Sequence, residues 1–305
     1  MERIEFRAMG CSMSAALDSD EPEAAVRLAG VPEWFKIWEG RLSRFRDDSE
    51  LSLLNRSPGR LHSLSPVMVE VLQAALAAAE ASGGIVVPTI LEALETAGYD
   101  RSFEHLPPSR DLSELAASDI GDWRMIELDP RARTARTPKG VRLDLGGVAK
   151  GWAADRAVGR LKSSGPAMID AGGDIAVSGP KDGGQPWAIG VADPRNPEGQ
   201  LALLKIMRGG VATSGRDYRR WKVNGDWRHH LIDPRTGMPA MTDVFSVTIV
   251  APSARQAEIA AKVVAILGSG EGLEWLNRQK AMAGLLVLES EEVLQSRGMK
   301  PYLWS

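Results

Sequence analysis

From residue 123 onward the chain offers one short β-like run after another, and helices rarely come between them. Apolar, β-branched runs predict strands at 125–128, 134–137, 141–143, 167–169, 175–178, 187–191, 201–207, 210–213, 221–223, 244–251 and 283–288. Helical spacing appears at 22–38, 66–81, 90–97, 150–162, 254–267 and 271–279. Helix 66–81 carries Val67, Val71, Leu72, Ala75 and Leu76 on one face, with Gly83 and Gly84 beyond its end. Gly268 is the stop for helix 254–267. Residues 4–17 read as a strand interrupted at Met9-Gly10, and 100–120 as a polar, proline-containing surface excursion. Strands that do not alternate with helices argue against a doubly wound parallel sheet and for an α+β fold with mixed sheets and packed helices. There is no internal repeat, low-complexity tract or linker, so residues 1–305 read as one functional unit, with two lobes around a cleft as the expected form.

Glycine-hinged corners carry the chemistry. The first is Asp144-Leu-Gly-Gly-Val-Ala-Lys-Gly-Trp-Ala-Ala-Asp155. Glycine lets backbone approach a ligand, and lysine beside a helix start suits phosphate oxygens. It is neither a Walker loop nor a Gly-x-Gly-x-x-Gly fingerprint. The second is Asp170-Ala-Gly-Gly-Asp174, two acids bracketing a flexible pair, suited to hydroxyl, amide or metal recognition. The third, Thr213-Ser-Gly-Arg-Asp-Tyr218, predicts an anion nest with a ring beside it. The fourth, His229-His-Leu-Ile-Asp-Pro-Arg-Thr-Gly237, is a turn headed by half of the chain's four histidines. Taken singly, each corner is also what an ordinary strand-end turn requires.

Taken in order they resemble the ApbE family, the FAD:protein FMN transferases. Ala8-Met-Gly10, Ser43-Arg-Phe45, Ser49-Glu-Leu-Ser-Leu-Leu-Asn55, Pro88-Thr89 and the stretches 187–194 and 246–268 complete a match over residues 6–290. The resemblance implies a T-fold-like α+β architecture and an enzyme that splits the pyrophosphate of FAD. FMN is joined through its phosphate to a threonine or serine of an acceptor protein, and AMP leaves. It further implies that Met9, Phe45, Asn55, Ile85, Val86, Val87, Asp144, Lys150, Asp170, Gly172, Gly173, Thr213, Ser214, Gly215 and Tyr218 line the FAD site. His230 and the pair Glu258 and Lys262 are the implied catalytic residues, with a magnesium ion on Glu258 and the Gly147 carbonyl.

The chain departs from that pattern in two places. Relatives carry Asp and Thr, four apart, as magnesium ligands where this chain has Glu258 and Lys262. An ammonium cannot ligate magnesium and repels it. Three readings stay open: Lys262 stands in for the metal, the site holds FAD or FMN without catalysis, or the two residues form an ordinary i,i+4 pair. At 83–89, Ile85, Val86 and Val87 replace an aromatic ring and a carboxylate beside the flavin. Phe45 stands for the usual tyrosine and keeps only its ring. A non-catalytic flavin binder and an FAD pyrophosphatase are the alternative functions.

A formal net charge of -3 gives no basic footprint, so nucleic acid is not an expected partner. The single cysteine, Cys11, excludes an intramolecular disulfide. Residues 2–7 carry charges instead of an apolar signal core, and no apolar run reaches the ~18 residues of a membrane span, so the expected location is cytoplasmic.

Overall fold

The computed structural model describes residues 1–110, 117–196 and 198–304. They form two compact units, Met1–Phe35, Lys150–Asp217 and Thr242–Ser305 in the first, Lys36–Ala149 and Tyr218–Met241 in the second.

The first unit is built on one eight-stranded sheet. Its strands are β1 (Glu2–Ala8), β2 (Cys11–Leu17), β3 (Ala167–Ala171), β4 (Ile175–Val177), β5 (Gly209–Gly215), β6 (Val244–Ala251), β7 (Ala283–Leu288) and β8 (Val293–Gln295). They lie side by side in chain order, and every neighbouring pair is antiparallel. A separate hairpin, Trp187–Ala192 with Gln200–Ile206, buries Trp187, Ile189, Leu204 and Ile206 against Val177, Val211, Val250 and Leu285 of the sheet. Helix α1 (Ala149–Leu161) enters this unit at Lys150, and α2 (Ala254–Arg278) packs across β5 and β6. Every residue of β7 and all but one of β6 are buried, which is why both read as unbroken apolar runs.

The start of α2 shows how tightly the corner is made. Ser253 accepts the Gln256 N–H at 3.2 Å, and the Asp155 carboxylate from α1 accepts those of Ala254 and Arg255 at 2.8 and 3.0 Å. The helix-start amides are thereby satisfied. Two glycines permit the approach. A Cβ on Gly210 would lie 2.1 Å from the Ala254 nitrogen, and one on Gly151 would lie 2.7 Å from the Arg255 Cα.

The second unit holds the helices Glu50–Arg56, Pro66–Ala81 and Leu91–Thr96, together with short strands. His62–Ser63, Thr134–Arg136 and Glu127–Asp129 form an antiparallel trio. Arg220–Val223 pairs antiparallel with Asp226–His229 and parallel with Ser109–Arg110. Its core joins Leu94, Tyr99, Trp221, Val223 and Ile232, and the Trp221 indole donates to the Ala97 carbonyl at 2.8 Å.

The helices at 66–81 and 90–97 and the strands 244–251 and 283–288 fall where the sequence predicts them. Gly268 sits at φ +84° and kinks α2 between the two helices expected there. Met9-Gly10 is the turn of the β1–β2 hairpin. The expected helix 22–38 is two helices, Pro22–Ala29 and Val31–Leu42, because Pro32 lacks the N–H a continuous helix would use. Residues 125–128 begin in a 3-10 turn, and only Glu127–Asp129 is strand. Residues 141–143 are not a strand. The Asn55 amide takes the place of a ladder partner, accepting the Leu143 N–H at 2.7 Å and donating to the Leu143 carbonyl at 2.8 Å. Within the expected surface excursion, residues 111–116 lie outside the described residues.

Candidate functional site

In the first unit, α2 carries Glu258 with no solvent exposure. Its Oε2 accepts the Gly151 N–H at 2.9 Å, where α1 passes. Its Oε1 accepts from the Lys262 ammonium at 3.0 Å, one turn along α2, and lies 3.6 Å from the Lys150 ammonium. Lys150 also makes direct contact with Asp174, the last residue of the β3–β4 turn. Two carboxylates and two ammoniums thus share one site. The carboxylate side chains of Glu258 and Asp174 are 0% and 3% exposed, whereas Lys150 and Lys262 keep 15% and 14%. Burial opposes the charge on Glu258, but the Lys262 and Lys150 ammoniums and the Gly151 N–H outweigh it and hold the carboxyl below its usual range. Asp155 moves the other way: burial raises it although two amides bind it.

The β3–β4 turn places Gly172 and Gly173 at φ +70° and +94°, as the tight hairpin turns require. Asp170 is spent inside that turn, accepting the Gly173 N–H at 2.7 Å. It is Asp174, the other bracketing acid, that meets Lys150. Gly172 packs on Cys11, whose Cβ would be 2.7 Å from an added Cβ. Met9, half-buried at φ +49°, turns the neighbouring hairpin. The anion nest expected at 213–215 is corrected: these residues belong to β5, whose amides point alternately instead of converging. Thr213 Oγ1 bonds Thr248 Oγ1 of β6 at 2.8 Å, and Ser214 is buried.

In the second unit, Asp144 is the centre. Its Oδ2 accepts from Arg44 Nε at 2.8 Å, its Oδ1 accepts the Gly146 N–H at 2.8 Å, and its own N–H donates to the Pro88 carbonyl at 2.8 Å. Arg44, only 5% exposed, donates to the Tyr99 carbonyl and stacks on the Phe45 and Tyr99 rings at 4.2 and 4.7 Å. Asn55 fixes the residue before Asp144, so its amide positions the corner. Gly147 lies half-buried in the turn leading to α1. Val86 and Val87 are buried core positions, with Ile85 half-buried. Nearby in sequence, the Thr89 hydroxyl is buried without a hydrogen-bond partner, an open polar atom of the sort a ligand satisfies. Phe45 (42% exposed) and Tyr218 (75%) offer rings to solvent, and Tyr218 stacks with Phe103 at 6.5 Å. His229 is buried and His230 half-buried, ahead of the Asp233–Gly237 turn.

Two partners escape a sequence reading. Arg44 lies in the Ser43-Arg-Phe45 segment, but nothing local marks it as the counter-ion of a residue a hundred positions away. Asp170 and Asp174 are equivalent by residue type, and only the hairpin register separates them.

The expected magnesium site on Glu258 and Gly147 does not fit the residues present. Both Glu258 oxygens are engaged, one by an ammonium, and Asp174 is engaged by the other. Among the described residues, no group of three or more His, Cys, Asp or Glu side chains could hold a metal ion.

The model of the ApbE family matches residues 9–286. A protein of Treponema pallidum (strain Nichols) named FAD:protein FMN transferase is 32% identical, over 92% of this chain and 83% of its own length. One of the same name from Salmonella typhimurium is 26% identical over 82% and 73%. Among solved structures, the ApbE protein of Thermotoga maritima superposes with a TM-score of 0.89 at 27% identity, over 100% of this chain and 99% of that one. The flavin transferase ApbE of Vibrio cholerae reaches 0.79 at 21% identity over 99% of each, a likeness of fold.

Proposed function

The chain belongs to the ApbE family, and from that premise we propose that it transfers FMN from FAD to a threonine or serine hydroxyl of an acceptor protein. The hydroxyl oxygen attacks the phosphorus on the FMN side of the pyrophosphate. The bond from that phosphorus to the bridging oxygen breaks, and AMP leaves with the bridging oxygen and its electron pair. The hydroxyl proton passes to solvent. Catalysis of such a step is mostly positioning and stabilisation of spreading negative charge.

The observation that carries this reading is the match of the whole ordered set of corners, 9–286, together with a structure that builds a charged centre at two of them. In each unit a glycine corner presents charge fixed by buried partners: Lys150 by Asp174 and Glu258, and Asp144 by Arg44. We assign Lys150 to the pyrophosphate, the rings of Phe45 and Tyr218 to stacking, and Thr89 to a polar edge of the flavin nucleotide. The remaining members of the expected FAD site and the role of His230 rest on the resemblance alone. The reading takes both units as one enzyme, residues 1–305.

We place the reaction in the cytoplasm. Among the described residues no helix is long and apolar enough to cross a membrane.

The test is purified protein with FAD, with and without threonine- and serine-containing acceptor proteins, following AMP by chromatography. AMP formed only with acceptor supports transfer. AMP formed without one identifies an FAD pyrophosphatase. FAD that binds and stays whole throughout leaves a flavin-binding protein without catalysis.

A further inference from the structure

We propose that this chain holds and activates the pyrophosphate without a divalent cation, using the Lys262 and Lys150 ammoniums as its fixed positive charges. The proposal rests on the flavin-transferase reading and deepens it. The carboxylate that the resemblance implies as a metal ligand is already engaged by protein groups. Glu258 Oε1 already accepts from Lys262 at 3.0 Å, and its Oε2 accepts the Gly151 N–H at 2.9 Å. A divalent ion reaching Glu258 would have to displace one ammonium and lie beside a second, 3.6 Å from the same oxygen.

The order of burial points the network toward an anion. Its acids are sealed, at 0% and 3% exposure, while its lysine side chains retain 14% and 15%. The solvent-facing end is therefore the ammonium end. Each ammonium has three donors. Lys262 gives one to Glu258. Its other N–H groups can meet phosphoryl oxygens and the bridging oxygen that leaves with AMP. The cost of gathering these charges is met on folding, so they need no rearrangement when charge develops on that oxygen. Glu258 is then a positioning residue, which pins both lysines and touches no substrate.

The experiment is flavin-fluorescence titration of the full chain with FAD in EDTA and again in millimolar magnesium chloride, paired with calorimetric titration of magnesium alone. The expected result is FAD binding in EDTA with a Kd that magnesium changes less than about twofold, and no magnesium heat. Lys262→Met should weaken FAD by about tenfold or more, the loss of one charge-assisted contact, while Lys262→Arg keeps most of the affinity. Lys262→Thr should free Glu258 Oε1 and create magnesium binding that the parent lacks. Magnesium tightening wild-type FAD binding tenfold, or Lys262→Met binding like wild type with its thermal unfolding unchanged, overturns the proposal and leaves the flavin-transferase reading standing. No FAD binding under either condition overturns both.

Discussion

A carboxylate with no exposure is tolerable only because of its partners, and Glu258 has three: Lys262, Lys150 and the Gly151 N–H. Glu258→Gln keeps the shape but leaves Lys262 without its counter-charge. Chemical denaturation should show a loss of roughly 3 kcal/mol, the scale of a broken buried pair. The pH dependence follows from sign. The folded carboxyl is held below its unfolded value, so its contribution is complete above the usual glutamate range and is lost as pH falls through the folded value. Wild type should therefore lose stability in acid more steeply than Glu258→Gln, and matching acid limbs would contradict the account. Lys150→Ala should raise the Kd for FAD by about tenfold, since it removes the ammonium assigned to the pyrophosphate; equal affinity by fluorescence titration would remove Lys150 from the site. Asn55→Ala should cost roughly 2 kcal/mol, because the Leu143 N–H and carbonyl are buried and would lose their amide partner.

The elements show why some of this was legible in the sequence and some was not. Gly268, the apolar runs of β6 and β7 and the apolar face of helix Pro66–Ala81 act through local chemistry, and local chemistry is what a sequence displays. Residues 141–143 look like a strand, yet the backbone of Leu143 is paired by a side chain 88 positions earlier. Thr213 and Ser214 look like a nest, but β5 is claimed by its neighbours β4 and β6. The corner residues stand out by type and spacing; their ion-pair partners, Arg44 for Asp144 and Asp174 for Lys150, come from distant segments brought together by the fold. The start of α2 gives a test at this scale. Gly210→Ala would drive a methyl group into the first turn of α2, where backbone cannot yield, and should lower stability by about 2 kcal/mol or more. Because the same turn leads to Glu258, FAD affinity should fall with it. Unchanged thermal unfolding in that variant would mean that the close packing of α2 on β5 is not needed.

For the whole molecule, a sheet of eight strands laid down in chain order leaves its chemistry to the returns between strands and to the helices inserted among them. Lys150 and Lys262 belong to the first unit, and Asp144 and the exposed rings of Phe45 and Tyr218 to the second. Mass analysis of an acceptor protein after incubation with this enzyme and FAD tests the central claim most directly. A gain of one FMN less one water, located on a single threonine or serine and matched mole for mole by AMP, is the predicted result. Free FMN and AMP accumulating while the acceptor keeps its original mass would contradict it.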